Sequence, residues 1–423
     1  MSDHRSTASP FAHPLYVLAK PAGPRCNLAC RYCYYLGKDT LYPEAKGMAM
    51  DYPLLEEFVK QYIQAQTQRE VLFTWHGGEA MLRPLAFYEE VLRLQRKHAG
   101  RHIVDNCIQT NGTLLTEEWC RFLKQNNWLV GVSLDGPQPL HDAFRKDRQG
   151  NGSFRKVMEG VEMLNRHGVE WNAMAVVNNL NAEHPREFYQ FFKDIGCHYI
   201  QFTPVVERDV PPSVSPIGPI SAIGAISPMN QPDDAPLTMT PETVSPQQWG
   251  RFLCTIFDEW VANDVGMFFI QLFDATLANW LGVEPGVCSM ARFCGNALAM
   301  EHNGDVYACD HFVFPDFLLG NIRRQPLAAM AYGERQNRFR QLKTSLPRQC
   351  RRCQFEFACH GECPKNRLLT TAEGERGLNY LCEGYRQFFD HVAPYMDFMA
   401  REWREDGAPA RVMDAVAEGL FAR

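Results

Sequence analysis

The chain has no long hydrophobic run. Among its 423 residues the longest clearly apolar stretch, Val265 to Phe273, is far short of the roughly 20 residues a helix needs to span a bilayer, so no membrane partner is expected. The first residues, Met1 to Pro10, are polar and hold no apolar signal core, which makes the cytoplasm the expected location. There is no basic excess either. Lys and Arg number 43 against 49 Asp and Glu, a net charge of −6, and this is not the footprint of a nucleic-acid binder. No internal repeat recurs on a period of roughly 20–50 residues. Apolar residues make up 45% and charged residues 22%, as in ordinary globular proteins, and a chain of this length buries a core without staples. At roughly 150 residues per domain, about three units are expected. Cysteine, by contrast, is abundant. Fifteen residues is an odd number, and a reducing compartment argues against a disulfide framework. Metal or redox chemistry is the leading explanation.

From Leu15 to Val206 short apolar runs alternate with longer amphipathic stretches. Leu15–Lys20, Val71–His76, Ile103–Thr110, Leu129–Leu134, Trp171–Val177 and Tyr199–Val205 read as six strands. The stretches near Pro53–Gln66, Leu85–His98, Thr116–Asn126, Phe154–His167, Pro185–Ile195 and Pro246–Asn263 read as helices. Strict βα alternation implies a parallel sheet with right-handed crossovers. Six units are too few for a closed eight-fold barrel. A partial barrel and a doubly wound sheet share this pattern, and the pattern does not separate them.

The stretch Asp209 to Pro241 carries eight prolines in 33 residues and little periodicity. It reads as an insertion after the sixth strand, a flexible loop or a substrate lid. After Cys288 the strand–helix rhythm stops and cysteines become dense, which suggests a small metal-organised domain. From Gly384 to Trp403 an aromatic-rich amphipathic helix is expected to pack back onto the body.

Cys26-x3-Cys30-x2-Cys33 follows the first strand. Three neighbouring thiolates suit an iron–sulfur cluster, whereas a structural zinc would need a distant fourth ligand. A [4Fe–4S] cluster held by three cysteines leaves one iron open. Further on, Cys288-x5-Cys294-x14-Cys309 precedes Cys350-x2-Cys353-x5-Cys359-x3-Cys363 and Cys382. Eight cysteines could fill two four-cysteine clusters, or two zinc ribbons. Cys107, Cys120, Cys197 and Cys254 are left over and read as small buried apolar groups.

The first motif, with Tyr32 before its last cysteine and Ala19-Lys20-Pro21 upstream, is the signature of radical S-adenosylmethionine (SAM) enzymes. The flanking text resembles the anaerobic sulfatase-maturating enzymes of that superfamily. The resemblance covers about Pro14–Glu207 and Gln247–Trp403. It implies an α/β fold, a partial (β/α)6 radical SAM barrel with a C-terminal iron–sulfur SPASM domain and a terminal helix. The expected division is an arm at 1–13, the barrel at 14–264 with the insertion at 209–241, the SPASM domain at 265–383 and a helical segment at 384–423. The resemblance also pairs the eight later cysteines, Cys288, Cys294, Cys309 and Cys363 on one cluster and Cys350, Cys353, Cys359 and Cys382 on the other. With the first cluster this makes three [4Fe–4S] clusters.

Function in parallel α/β barrels collects at the C-terminal ends of strands, where His76-Gly77-Gly78-Glu79, Gln109-Thr110-Asn111-Gly112, Ser133-Leu134-Asp135-Gly136, Asn178 and Gln201–Glu207 fall. Paired glycines admit close approach of backbone to ligand, though alone they are common in turns. Gly77-Gly78-Glu79 resembles the motif that holds the SAM amine, with Ala80 where the family usually has Pro. Tyr35 falls where the family holds the adenine, and Ser133 and Arg145 where the SAM carboxylate would be held. Arg145 reads equally well as a solvated or core-facing charge. His76 falls where related maturases have a polar residue near the peptide. Asp310 directly follows Cys309, and in sulfatase-maturating enzymes this pair carries the proposed general base.

The implied reaction cleaves SAM at the open iron to a 5′-deoxyadenosyl radical. The radical takes a Cβ hydrogen from a Cys or Ser of an unfolded or nascent sulfatase, in a Cys/Ser-x-Pro-x-Arg segment, and the auxiliary clusters accept the second electron. The product is formylglycine. A donor such as flavodoxin or ferredoxin would supply the first electron. The alternatives are a SPASM maturase that crosslinks another ribosomal peptide, a three-cluster electron carrier without catalysis, and a zinc-bound scaffold.

Overall fold

The computed structural model describes residues 15–42, 47–209 and 237–421. The expected N-terminal arm and nearly all of the Pro-rich insertion lie outside the described residues. The chain divides into two compact units that do not follow chain order. One comprises Met1–Arg25, Tyr42–Gln109 and Cys294–Leu342, the other Cys26–Leu41, Thr110–Phe293 and Lys343–Arg423.

In the first unit β1 (Leu15–Ala19), β2 (Glu70–Trp75) and β3 (Ile103–Thr110) run parallel, in register from Leu18↔Thr74 and from Glu70↔Ile103 to Trp75↔Ile108. The intervening helices are α1 (Tyr52–Gln64) and α2 (Leu85–His98). Asp51 caps α1 by accepting the Leu54 N–H at 2.8 Å, satisfying an otherwise orphaned donor. Its buried face, Leu54, Leu55, Phe58, Val59, Tyr62 and Ile63, recurs at helical spacing. Phe58 stacks on Tyr62 and meets Phe73 and Trp75 edge-on. Such pairs add about 0.5–1.5 kcal/mol each beyond area burial.

In the second unit β4 (Leu129–Ser133), β5 (Trp171–Val177) and β6 (Tyr199–Pro204) are parallel, with the two-residue β7 (Phe269–Ile270) beside β6. The helices are α3 (Glu117–Gln125), α4 (Gln138–Phe144), α5 (Phe154–His167), α6 (Pro185–Asp194), α7 (Pro246–Asn263) and α8 (Gln271–Leu281). A Ser245/Gln248 capping box starts α7. The long helix Cys382–Arg404 packs on α7 through Trp249 against Tyr385, and on α8 through Phe273 stacked on Phe388. Where the insertion leaves and re-enters, Arg208 bridges Met239, and the Asp209 N–H donates to the Thr238 carbonyl at 2.8 Å.

Two departures from expectation bear on the site. The strand rhythm does not stop at Cys288, because β8 (Asn296–Met300) pairs in parallel with β1 along its whole length. The short strands β9 (Asp305–Tyr307) and β10 (Leu318–Asn321) extend that edge antiparallel. Its sequence, NALAM, carries little intrinsic strand preference, so pairing with β1 decides it. Secondly, of the four leftover cysteines only Cys120 and Cys197 are buried, while Cys107 and Cys254 are half-buried.

Candidate functional site

In the first unit the functional end is built where β1, β2 and β8 finish. Lys20 follows β1, His76 to Glu79 follow β2, and the Lys20 N–H bonds the Met300 carbonyl at the end of β8, at 2.8 Å. The Gly77-Gly78-Glu79 segment is laced to the chain just before the first cysteine motif. Gly78 N–H donates to Gly23 O at 2.9 Å and Glu79 N–H to Arg25 O at 2.8 Å. Gly77 has φ +128, and a Cβ on Gly78 would lie 2.1 Å from Arg25 O. Only glycine permits this approach. Glu79 is buried, and one carboxylate oxygen accepts the Met81 N–H at 2.9 Å.

Beside this segment lies a charged cluster. Lys20 is wholly buried and its ammonium pairs with the Asp310 carboxylate. The same ammonium stands 3.0 Å from His76 Nδ1, which also accepts the Gly77 N–H at 2.7 Å. Burial raises the Asp310 carboxyl, but the charges of Lys20, His76 and His311 outweigh it and hold it below the ordinary range. Burial, then the Lys20 charge, pushes His76 down to about 3. The structure therefore brings together Asp310 and His76, both singled out by sequence, around Lys20, which the sequence marked only as flanking text with no role.

In the second unit the cysteine motif occupies a loop whose Cys33 N–H closes onto Cys30 O at 3.1 Å. Cys30 is buried, and the other two are half-buried. Cys26 and Cys33 pack with Phe144 and Val176 on a buried group of Leu28, Cys30, Tyr32 and Val205. Cys30 feels the charge of both Cys33 and Cys26. Two donors point at Cys26 Sγ, the Leu28 N–H at 3.4 Å and Asn111 Nδ2 at 3.7 Å. Asn111 also donates to Asn27 Oδ1, and Asn27 Nδ2 to Thr113 Oγ1, both at 2.8 Å. An apolar pocket of thiols with donors aimed at sulfur fits an iron–sulfur cluster. The Asn27–Asn111 clamp was visible only as an Asn inside the motif and another at a strand end.

Tyr35 is buried in the turn after Cys33, edge-on to Tyr34. Ser133 ends β4 and is half-buried. Arg145 is turned to Asp135, with Nε at 2.9 Å and Nη2 at 3.1 Å from the two carboxylate oxygens. Tyr32 OH and the Val176 N–H (2.9 Å) also donate to Asp135. Asn178 organises its own turn, accepting from Leu180 and Asn181. Glu207 pairs at 2.6 Å with Lys365, which stands two residues past Cys363 and was not foreseen.

Of the later cysteines, Cys350, Cys353, Cys359 and Cys382 lie close enough to act on one another electrostatically. Cys288 and Cys363 belong to the same unit as these, and Cys294 and Cys309 to the other. Arg367 shapes the loop bearing Cys359 and Cys363, donating to the carbonyls of Gly361, Lys343 and His360 at 2.9–3.0 Å. Among the described residues no group of three or more His, Cys, Asp or Glu side chains is gathered to hold a single metal ion. A four-iron cage spaces its thiolates wider than a tetrahedral ion with bonds of about 2.3 Å. No helix among them is long and apolar enough to cross a membrane.

Residues 21–192 match the radical SAM superfamily, and residues 288–354 match an iron–sulfur cluster-binding domain, SPASM. The chain is 58% identical over 424 residues to a serine-type anaerobic sulfatase-maturating enzyme of Bacteroides thetaiotaomicron, covering 98% of each chain. It is 31% identical to a cysteine-type anaerobic sulfatase-maturating enzyme of Clostridium novyi, covering 92% of this chain and 97% of that one. Among solved structures it resembles native anSMEcpe with bound AdoMet and Cp18Cys peptide. The TM-score there is 0.78 at 29% identity, covering 92% of this chain and 99% of that one.

Proposed function

Because the chain belongs to the anaerobic sulfatase-maturating enzymes, radical SAM oxidoreductases of partial-barrel fold with a SPASM domain, we propose that it oxidises a Cys or Ser of a sulfatase peptide to Cα-formylglycine. The higher identity to the serine-type relative than to the cysteine-type one favours serine as the preferred target. The observation that carries the reading is the Asp310 carboxylate, held beside Lys20 and His76 at the ends of β1, β2 and β8.

When bound, SAM and the clusters would supply a 5′-deoxyadenosyl radical to take a Cβ hydrogen and would accept the remaining electron. Cys26, Cys30 and Cys33 would hold the first [4Fe–4S] cluster. Cys288, Cys294, Cys309 and Cys363 would hold a second, and Cys350, Cys353, Cys359 and Cys382 a third. The mutual proximity of the last four supports that set. Gly77, Gly78 and Glu79 would hold the SAM amine and Tyr35 the adenine. Ser133 would hold the carboxylate. Arg145, already bidentate on Asp135, would add little charge there and would chiefly set Asp135 and Tyr32.

Asp310 would accept the hydroxyl or thiol proton. A serine that loses a hydrogen atom, a proton and an electron becomes the aldehyde directly. A cysteine becomes a thioaldehyde, and water then displaces hydrogen sulfide. The partners would be an unfolded or nascent sulfatase and a small electron donor such as flavodoxin or ferredoxin, in the cytoplasm. The division at 14–264, 265–383 and 384–423 would separate radical generation, electron acceptance and a packing helix.

Asp310→Asn tests the reading. With anaerobically reconstituted enzyme, SAM and reductant, formylglycine formed per 5′-deoxyadenosine should fall by about 10²–10⁴-fold, the usual worth of a positioned base. An undiminished ratio would remove Asp310 from the chemistry.

A further inference from the structure

Resting on that reading, we propose that Lys20 is a positioning residue for peptide oxidation, which aims the Asp310 carboxylate and, together with the Gly77 N–H, holds His76 as the Nε2–H tautomer. Lys20 is fully buried, and its ammonium bridges Asp310 and His76. Burying an ammonium is costly unless it is paired, and here the pairing lies at the C-terminal ends of parallel strands, where barrel chemistry collects.

The tautomer follows from donor counting. An ammonium and a backbone N–H can only donate. Lys20 Nζ at 3.0 Å and Gly77 N at 2.7 Å both meet His76 Nδ1. That nitrogen therefore carries no proton, and the ring's proton sits on Nε2. His76 is accordingly a hydrogen-bond donor at Nε2, suited to a carbonyl or hydroxyl of a bound peptide, and it has no basic nitrogen left to compete with Asp310. The depressed pKa of His76 agrees with a neutral ring. The neighbouring charged or titratable groups are His311, which acts on both Asp310 and His76, and Tyr16, which feels Asp310 and Cys107 and whose hydroxyl bonds Thr74 Oγ1 at 2.6 Å. Without Lys20 the carboxylate would lose its ammonium partner, and the Gly77 N–H alone would be left to hold the tautomer of the imidazole.

The test uses reconstituted holoenzyme with a serine sulfatase peptide and reads formylglycine per 5′-deoxyadenosine alongside kcat and KM for the peptide. Lys20→Met should lower the ratio at least about tenfold, in kcat more than in KM. Lys20→Arg, which keeps the charge, should restore part of it. In an Asp310→Asn background, Lys20→Met should change the ratio less than about threefold, because a residue that acts through Asp310 is non-additive with it. A Lys20→Met ratio within about twofold of the parent, or full additivity with Asp310→Asn, would overturn the proposal. If Lys20→Met does not fold, Lys20→Arg and the charge-free double variant carry the test by the same criteria. A parental enzyme that cleaves SAM but leaves the peptide intact would instead overturn the reading of the reaction.

Discussion

Replacing Arg145 by Met should destabilise the protein through Asp135. The Asp135 carboxylate is wholly buried and accepts from Arg145 Nε and Nη2, from Tyr32 OH and from the Val176 N–H. Methionine fills much of the arginine stem but leaves the carboxylate with two neutral donors. Breaking a buried pair from one side costs about 3–5 kcal/mol, and the two remaining donors put the expected cost near the lower bound. For a compact unit of this size each kcal/mol shifts the melting temperature by roughly 2–4 °C, so the fall should be about 6–12 °C. Arg145→Met/Asp135→Asn removes both charges and should recover most of it. Anaerobic thermal melts measure the stability, and SAM titration separates the roles. If Arg145 acts through Asp135, the double variant binds SAM about as well as the parent. If Arg145 grips the SAM carboxylate directly, affinity falls by about 1.5–3 kcal/mol, the worth of a charge-assisted bond. A single variant that melts within about 2 °C of the parent, or a double variant no more stable than the single, would refute this reasoning.

Gly78→Ala should abolish SAM binding, measured by equilibrium titration, because its Cβ would meet Arg25 O at 2.1 Å and Pro24 O at 2.6 Å. Both are backbone atoms that cannot swing aside, and unchanged affinity would show that the lacing of this segment is dispensable. His141 predicts acid sensitivity. It is wholly buried, accepts the Asp135 N–H on Nδ1 at 3.3 Å and pairs with Ser153 Oγ through Nε2 at 2.9 Å. Burial pushes it down to about 4. The unfolded chain takes up this proton near pH 6.5 and the folded one does not, so stability is full above that pH and declines toward pH 4, by at most about 3 kcal/mol. Denaturation midpoints across that window should flatten in His141→Gln, and an unchanged slope would assign the acid sensitivity to other groups.

The elements that position the site were legible where they repeat a local period. Ile103–Thr110, Trp171–Val177, Leu85–His98 and Phe154–His167 were read with the boundaries the structure shows. Their signal is a run of one period long enough to outweigh single residues. β8 was missed because five residues with two alanines become a strand only through β1. α8 was hidden because its first turn continues an apolar run, Val265–Phe273. The cysteine motifs stood out because their spacings are short and fixed, and the structure keeps Cys26, Cys30 and Cys33 together. Lys20 did not stand out, since its meaning lies in Asp310, 290 positions away in the chain, and a lone Lys at a strand end carries no spacing signal. Arg145 was ambiguous for the same reason, until Asp135 placed its two N–H-bearing nitrogens.

The most direct test is mass spectrometry of two peptides, one with Cys-x-Pro-x-Arg and one with Ser-x-Pro-x-Arg. Each is incubated anaerobically with the reconstituted enzyme, SAM and a strong reductant. Formylglycine in either peptide, the serine peptide converting more readily, is the predicted result. SAM cleavage with both peptides unchanged would contradict the assignment of the substrate and leave only the radical chemistry standing.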